Sequence, residues 1–215
     1  MANSLKNFWQ IGKKIVCVGR NYKDHALELG NVVPRKPIFF LKSTNSYVIE
    51  DQPILIPPGC VNLHQEVELG VVIGKLAKNV KSVDAFDYIG GYTVALDMTA
   101  RDLQDEFKKA GNPWFIAKSF DTSCPITKFI DVKEIIDPHQ EELFCKVNGK
   151  EQQRCKTDKM IFNIPFLLEY LTQYVTLQTG DLLLTGTPAG VTQVNSGDIL
   201  EFGLEGKLRA KYKVL

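Results

Sequence analysis

Short apolar runs, interrupted every few residues by glycine or proline, are the feature that most constrains what this chain can fold into. Runs of four to eight apolar residues bounded by turn-forming residues are typical of strands. The sequence therefore predicts a β-rich molecule. The predicted strands cover residues 14–19, 38–42, 66–73, 92–97, 143–147, 182–185, 199–202 and 208–214.

Helical patterns are fewer. One predicted helix follows Thr99, which we expect to be its N-cap, and stops at Gly111. Another has Pro165 in its first turn and a single apolar face, and a short one ends at Gly30. Asn148-Gly149 between extended stretches predicts a type I′ hairpin turn. In chain order, the predicted helices cover residues 22–29, 100–109 and 165–174.

These elements predict an α+β fold, a rolled mixed sheet rich in β-structure with a few short helices. The chain has 215 residues, and neither a low-complexity linker nor a shift of composition divides it. We therefore expect one domain over residues 14–215, preceded by an N-terminal extension at 1–13. The 26 basic and 25 acidic residues nearly cancel, which argues against a nucleic-acid partner.

Other bulk features concern the compartment. The five cysteines form no CxxC pair, which favours a reducing environment over a disulfide framework. No apolar stretch approaches the roughly 20 residues that span a bilayer, so no membrane partner is expected. The first acidic residue is Asp24, and Lys6, Lys13 and Lys14 lie before it, as in a mitochondrial presequence. This pattern favours mitochondria. A strand beginning at Lys14 leaves little room for a cleaved presequence, however, so the cytoplasm is the alternative.

Glu66 and Glu68 begin one of the predicted strands. Side chains two apart share a face of a strand, with Cα atoms about 7 Å apart, so both carboxylates can converge on one cation. The other face carries Val67, Leu69 and further apolar residues that belong in a core. The alternative is a solvated polar face, which is the commoner meaning of an isolated pair of this kind.

Asp97 follows an apolar strand and precedes a helix, a position where side chains emerge into a site. Helix capping is the alternative role of this aspartate. Because Thr99 can cap the helix, Asp97 is available as a third carboxylate. Three carboxylates without a histidine or cysteine partner are typical of a hard cation such as Mg²⁺, Mn²⁺ or Ca²⁺.

His25 and Glu28 are three residues apart and are neighbours on a helical turn. Glu28 can orient the imidazole so that His25 takes a proton from water or substrate. An exposed helix pair without a role is the alternative. Lys118 lies among bulky apolar residues, where it is either an exposed strand residue or a cation in a pocket that stabilises an enolate or binds a carboxylate.

The segment 184–191 is a strand that runs into a turn rich in glycine and proline. The Thr187 hydroxyl and the backbone N–H groups near Gly186 can hold a carboxylate. A structural turn is equally compatible with the spacing. Arg101 and Gln104 follow Asp97 at a helix start, where a surface position is the default.

Five motifs in order resemble the fumarylacetoacetate hydrolase family. They are Val-Gly-Arg-Asn-Tyr-Lys-Asp-His at 18–25, Glu-Val-Glu-Leu-Gly at 66–70, Gly-Gly-Tyr-Thr-Val-Ala-Leu-Asp-Met-Thr-Ala-Arg-Asp at 90–102, Lys-Ser-Phe-Asp at 118–121 and Leu-Thr-Gly-Thr-Pro-Ala-Gly-Val at 184–191. The resemblance extends from about residue 15 to the C-terminus and is strongest to the short eukaryotic branch of the family. The N-terminal domain of fumarylacetoacetase itself has no counterpart, so that enzyme's large substrate is not expected.

The resemblance implies the family's β-roll, a homodimer, and Mg²⁺ or Mn²⁺ held by Glu66, Glu68 and Asp97. It also implies that the segment with His25 and Glu28 is a mobile lid over the substrate. The further residues that it implies in catalysis are Lys118 and Gln104, and those in substrate binding are Arg20, Arg101, Thr187 and Gly186.

The expected substrates are small 2-oxo acids that react through an enolate held by the metal. Hydrolysis of 3-acylpyruvates to pyruvate and a carboxylate, decarboxylation of oxaloacetate to pyruvate and CO₂, and enol–keto tautomerisation of oxaloacetate all fit, and the sequence does not rank them. A hydratase or isomerase of another 2-oxo acid is one alternative. A non-catalytic metal-binding module is the other, and it predicts no pocket that joins Asp97, Lys118 and Thr187.

Overall fold

The computed structural model describes residues 5–30 and 32–215. Within these residues the helices are α1 (Phe8–Ile11), α2 (Lys23–Glu28), α3 (Arg101–Ala110), α4 (Phe115–Ser119) and α5 (Ile164–Tyr174). Short 3-10 turns cover Thr44–Ser46, Ser82–Tyr88, Val132–Glu134 and Thr157–Lys159. The strands are β1 (Ile15–Gly19), β2 (Ile38–Lys42), β3 (Tyr47–Val48), β4 (Leu63–Gln65), β5 (Val67–Ile73), β6 (Ile89–Leu96), β7 (Thr99–Ala100), β8 (Cys124–Pro125), β9 (Ile130–Asp131), β10 (Glu142–Val147), β11 (Lys150–Lys156), β12 (Leu182–Leu184), β13 (Thr192–Val194), β14 (Ile199–Leu204) and β15 (Leu208–Lys213).

A six-stranded mixed sheet is the centre of the fold, in the order β2-β1-β12-β5-β6-β9. Strands β1 and β12 are parallel, and the other neighbours are antiparallel. Because β1 and β12 lie far apart in sequence, their pairing brings the N-terminal motif at 18–25 beside the motif at 184–191. The topology therefore gathers distant motifs at one end of this sheet.

One face of the six-stranded sheet packs on a second, antiparallel sheet in the order β11-β10-β14-β15. Alternate residues of β5, including Val67 and Leu69, point into this interface. Residues of β10, β14 and α5, such as Leu143, Phe202 and Leu167, meet them from the other side. The predicted core face of β5 is confirmed, and burial of this apolar interface is the main stabilising contribution of the fold.

The opposite face carries a smaller apolar cluster. Cys17 and Val72 lie on the sheet side of it, and Leu5 and Phe8 cover them. Leu5, Phe8 and Trp9 of the predicted N-terminal extension therefore pack on the sheet, and residues 1–4 of that extension lie outside the described residues. Glu68 is also on this face of the sheet, beside the end of the apolar cluster, where polar side chains begin.

All of the predicted strands and the three predicted helices are confirmed, with small shifts at their ends. Asn148 and Gly149 both have positive φ, 50° and 80°, as a type I′ turn requires. The predicted cap was wrong: Ala100 is the N-cap of α3, and it makes no side-chain capping bond. Thr99 lies in β7 instead, where its hydroxyl donates to Asp97 O.

Seven further strands were not predicted: β3, β4, β7, β8, β9, β11 and β13. Six of these have only two or three residues, too few to display a periodic pattern. The seventh, β11, is rich in charged and amide side chains. Among the described residues, no helix is long and apolar enough to cross a membrane.

Candidate functional site

The three predicted carboxylates meet where β5 and β6 come together. Val67 pairs with Leu96 across these antiparallel strands, so the residues that flank this pair, Glu66 and Asp97, are adjacent. The Asp97 N–H donates to Glu66 O at 2.8 Å. Ligand atoms of Glu66, Glu68 and Asp97 lie within 4.8 Å of one another, and all three residues are buried.

A buried lysine from α4 closes one side of this triad. Lys118 Nζ donates to Asp97 Oδ2 at 2.5 Å, to Glu66 Oε2 at 3.0 Å and to Thr99 Oγ1 at 2.6 Å. Its ammonium also lies 4.9 Å from the centre of the Phe40 ring. Burial lowers the pKa of Lys118, but the charges of Asp97 and Glu66 outweigh this effect, and the pKa is raised. The residue is therefore a fixed cation in the site, and the exposed alternative is excluded.

A second buried lysine is Lys42, whose Nζ lies 2.8 Å from Asp97 Oδ1. The three protons of its ammonium are directed to other acceptors, namely Met98 O, Lys118 O and Ser123 Oγ. The contact with Asp97 is therefore an electrostatic one without a well-aligned hydrogen bond. Among the described residues, Asp97 Oδ1 accepts no hydrogen bond, although it is buried.

Arg101, the first residue of α3, holds Glu66 from the opposite side of the triad. Its Nη2 donates to Glu66 Oε1, and its Nη1 donates to Gln104 Oε1 at 2.7 Å. Its Nε faces His64 Nδ1 at 3.3 Å. Burial and the neighbouring Arg101 charge lower the pKa of His64, so a neutral imidazole accepts this bond. Because its nitrogens are used in this way, Arg101 orients a predicted metal ligand.

The surrounding charges divide the carboxylates into two kinds. Burial raises the pKa of Glu66, but the charges of Lys118 and Arg101 outweigh burial and hold it well below the usual value. For Glu68, burial comes first and the neighbouring charges of Asp97 and Glu66 add to it, so its pKa is raised well above the usual value. The positive charges of Lys118 and Arg101 thus compensate the carboxylate of Glu66, whereas the carboxylate of Glu68 is poorly compensated.

This arrangement fits a divalent cation. The donor set consists of carboxylate oxygens, which Mg²⁺ and Mn²⁺ prefer. Asp97 Oδ1 is buried without a hydrogen bond, and Glu68 lies where positive charge is lacking. Both features are explained by a cation coordinated by Glu66, Glu68 and Asp97.

The turn at 184–191 contributes two contacts to the site. The Gly186 N–H donates to Glu68 Oε2 at 2.7 Å. This N–H therefore holds a carboxylate of the chain itself and is not free for a substrate. Gly186 has φ +98°, and a Cβ at this position would lie 2.6 Å from Asn21 Cβ, so only glycine fits. Thr187 follows it and lines the cleft.

His25 and Glu28 occupy α2 as a pair. His25 is buried, and its Nδ1 lies 3.4 Å from Glu28 Oε2. Glu28 is at the rim and accepts from the Gly190 N–H at 3.0 and 3.2 Å. The second glycine N–H of the turn is thus also used by a carboxylate of the chain, and it fastens α2 across the site. The mobility implied for this segment stays a prediction.

A narrow cleft that is open to solvent at its mouth joins these groups. Asp97, Lys118 and Thr187 share its wall, which the non-catalytic alternative did not predict. The predicted site residues along it are Arg20, His25, Glu66, Glu68, Asp97, Arg101, Gln104, Lys118 and Thr187. Glu28 and Gly186 do not line the cleft; they contact His25 and Glu68, which do.

Several polar residues of the site were not predicted. Lys42 had a usable signal, because it continues the period-two face of Ile38 and Phe40, both of which line the cleft. Lys108 and Trp114 also line the cleft and had no distinguishing pattern. Gln153 reaches the site from the second sheet, which only the tertiary structure reveals.

Comparisons with known proteins show the family to which the chain belongs. A family model for the C-terminal part of fumarylacetoacetate (FAA) hydrolase matches residues 14–214. The mitochondrial oxaloacetate tautomerase of Caenorhabditis elegans is 66% identical over 212 residues, which cover 99% of each chain. The mitochondrial oxaloacetate decarboxylase of Dictyostelium discoideum is 47% identical over 203 residues, which cover 94% of this chain and 93% of that protein.

A solved structure extends the comparison to the fold. The fumarylpyruvate hydrolase of Pseudomonas aeruginosa, in complex with Mn²⁺ and pyruvate, matches with a TM-score of 0.91. It is 33% identical to this chain, and the match covers 95% of this chain and 90% of that one. The predicted mixed-sheet α+β fold and the family resemblance are both confirmed. The chain belongs to the fumarylacetoacetate hydrolase family.

Proposed function

We propose that this chain is a metal-dependent enzyme that interconverts the enol and keto forms of oxaloacetate. The observation that carries the proposal is one cleft that contains the acidic triad, a buried ammonium and an unpaired arginine. The relative named oxaloacetate tautomerase, at 66% identity over almost the whole chain, supports the choice of substrate. Decarboxylation of oxaloacetate is the related activity named for the Dictyostelium relative.

The charges of the cleft suit a dianion. The three carboxylates are balanced by Lys42, Lys118 and Arg101, so a bound divalent cation leaves the site with a net positive charge. Arg20 lines the same cleft, and its guanidinium makes no hydrogen bond or ion pair with any described residue. We assign Arg20 to the carboxylate of oxaloacetate remote from the 2-oxo group, because a guanidinium pairs well with a carboxylate.

The residues that would hold the cation are Glu66, Glu68 and Asp97. When bound, Mg²⁺ or Mn²⁺ supplies Lewis acidity toward the 2-oxo oxygen, which favours electron density moving from C3 onto that oxygen. Lys118 places a second positive charge beside the developing negative charge. The Thr187 hydroxyl and the Gln104 amide orient the substrate from the other walls of the cleft.

His25 is the residue that we assign to proton transfer at C3. Its Nδ1 faces Glu28, so in the neutral tautomer with the proton on Nδ1 the other nitrogen, Nε2, is the base. Nε2 takes a proton from C3 of the keto form, and the electron pair of that C–H bond passes toward the C2 oxygen, which gains a proton in the enol. Burial of His25 keeps bulk water away from this transfer.

Hydrolysis of 3-acylpyruvates is a second candidate activity, favoured by the likeness to a fumarylpyruvate hydrolase. In this reaction His25 takes a proton from water as the water attacks the acyl carbonyl. The C3–C4 bond then breaks, and its electron pair remains on C3, as it does when oxaloacetate loses CO₂. We also propose a mitochondrial location, because both named relatives are described as mitochondrial.

Replacing His25 separates these reactions. We expect His25→Ala to slow tautomerisation and acylpyruvate hydrolysis about a hundredfold or more, because both need a base. Decarboxylation should fall less than about tenfold, because loss of CO₂ removes no proton from carbon. Ultraviolet absorbance of the enol, and pyruvate release in the presence of Mg²⁺, measure the three rates on purified protein.

His139→Ala is the matched control for this experiment. His139 lies outside the cleft, where it accepts a bond from the Ile164 N–H, so the ratio of the three rates should stay at the wild-type value. Equal losses of all three reactions in His25→Ala would show that the His25–Glu28 pair acts in binding. Wild-type protein without any activity on oxaloacetate would contradict the proposed function.

A further inference from the structure

Gln153, a residue of the second sheet, connects the strand that carries Glu68 to the turn that carries Thr187. It lies in β11 of the second sheet, and its side chain is 1% exposed. The amide crosses the interface between the sheets and makes three hydrogen bonds there. Its Oε1 accepts from Val67 N at 2.9 Å, and its Nε2 donates to Thr187 Oγ1 and to Pro188 O, each at 2.8 Å.

The surroundings leave the amide of Gln153 a single orientation. Val67 presents a backbone N–H, which can only donate, so the atom beside it must be the amide oxygen. Pro188 presents a carbonyl oxygen, which can only accept, so the atom beside it must be the amide nitrogen. The contact with Thr187 is therefore made by the NH₂ group, with the hydroxyl as acceptor.

This orientation decides the polarity of the Thr187 hydroxyl. The hydroxyl has one proton and two lone pairs, and one lone pair accepts from Gln153. No described residue accepts a hydrogen bond from Thr187 Oγ1, although the residue is buried and lines the cleft. The proton is therefore left for a ligand in the cleft.

We propose that Gln153 is a positioning residue that fixes the Thr187 hydroxyl as a hydrogen-bond donor to the carboxylate of the 2-oxo acid. The inference rests on the proposed function, since it concerns how the same substrate is held. By accepting from Val67 N, between the predicted ligands Glu66 and Glu68, Gln153 also ties the metal-binding segment to the substrate-binding turn. A single amide thus sets the spacing between cation and substrate carboxylate.

Reversing the polarity of this contact tests the proposal. In Gln153→Glu, one carboxylate oxygen still accepts from Val67 N, and the other replaces the NH₂ group beside Thr187, so the hydroxyl proton turns toward the glutamate. Binding of oxalate to the Mn²⁺-loaded protein, by calorimetry, should weaken about tenfold or more. The KM for oxaloacetate should rise by a similar factor, while the Mn²⁺ affinity and the unfolding temperature serve as controls for the site and the fold.

The decisive readout is the same substitution in a Thr187→Val background. If Gln153 acts through the hydroxyl, Gln153→Glu changes oxalate affinity less than about twofold once the hydroxyl is absent. Thr187→Ser, which keeps the hydroxyl, should restore both oxalate binding and its sensitivity to Gln153→Glu. Should Gln153→Glu fail to fold, Gln153→Met removes the NH₂ donor, together with the acceptor of Val67 N, without adding charge and is compared in the same two backgrounds.

Equal weakening of oxalate binding in the Thr187 and Thr187→Val backgrounds would overturn the proposal, because the amide would then have a general structural role. Unchanged oxalate affinity in Gln153→Glu would overturn it as well. Wild-type protein that binds Mn²⁺ but not oxalate would contradict the proposed function itself, and this inference with it.

Discussion

Replacing Glu68 by glutamine is expected to weaken Mn²⁺ binding about a hundredfold or more and to abolish metal-dependent turnover. The substitution removes a carboxylate from a site whose other donors are Glu66 and Asp97. The fold should stay intact, because the glutamine oxygen still accepts from the Gly186 N–H. Burial and the charges of Asp97 and Glu66 raise the pKa of Glu68, so loss of its charge relieves repulsion and should not lower the unfolding temperature.

Calorimetric titration with Mn²⁺, thermal unfolding of the metal-free protein and oxaloacetate turnover together measure these effects. Glu201→Gln is a suitable control, because Glu201 is a carboxylate of the second sheet that pairs with Arg209 and Lys211 and does not line the cleft. It should bind Mn²⁺ like the wild type. Turnover of Glu68→Gln at the wild-type rate without metal would contradict the assignment of the triad.

Lys118→Met is expected to lower kcat about a hundredfold to a thousandfold while leaving Mn²⁺ binding as tight as in the wild type, or tighter. The first effect follows because the ammonium is the cation beside the developing enolate charge. The second follows because, in the wild type, Lys118 Nζ pairs with oxygens of both Glu66 and Asp97, at 3.0 and 2.5 Å, and competes with a metal for them. The methionine fills a similar volume in the buried position.

Steady-state rates and Mn²⁺ titration on the same preparation separate these two effects. Lys128→Met, at an exposed lysine 3.9 Å from Glu50, is the matched control and should change neither. A parallel loss of kcat and Mn²⁺ affinity in Lys118→Met would mean that the lysine organises the metal site and does not act on the substrate.

The alternation of β5 made part of this site predictable. Because side chains of a strand alternate, the sequence pattern alone places Glu68 opposite the Val67 core face, and the register of β5 confirms it. Asp97 was predicted from its position at the end of an apolar strand, although the supporting argument was wrong. Thr99 does not cap α3; it accepts a hydrogen bond from Lys118 and so belongs to the site itself.

Other parts of the site depend on long-range contacts that no local pattern encodes. Lys118 was ambiguous because a lysine among apolar residues is usually exposed, and only the meeting of α4 with the triad explains its burial. Gln153 lies in a polar strand, and its contact with Thr187 arises from the packing of two sheets. The sequence left open whether backbone N–H groups of the turn at 184–191 hold a carboxylate of a ligand; those of Gly186 and Gly190 hold Glu68 and Glu28 of the chain itself.

The class of substrate and the role of Arg20 came from the family resemblance of the ordered motifs, because spacing alone did not indicate them. The place of Arg20 in the cleft depends on a backbone with φ +58°, which composition does not reveal. The homodimer and the mobile segment around His25 stay predictions of that resemblance.

The central claim is that Glu66, Glu68 and Asp97 hold the cation to which a 2-oxo acid binds. A crystal structure of the protein with Mn²⁺ and oxalate, a mimic of the pyruvate enolate, tests it most directly. We expect Mn²⁺ on all three carboxylates, two oxalate oxygens on the metal, and Lys118 Nζ and Thr187 Oγ1 beside the oxalate. Mn²⁺ at another position, or oxalate bound in the cleft without contact to the metal, would contradict it.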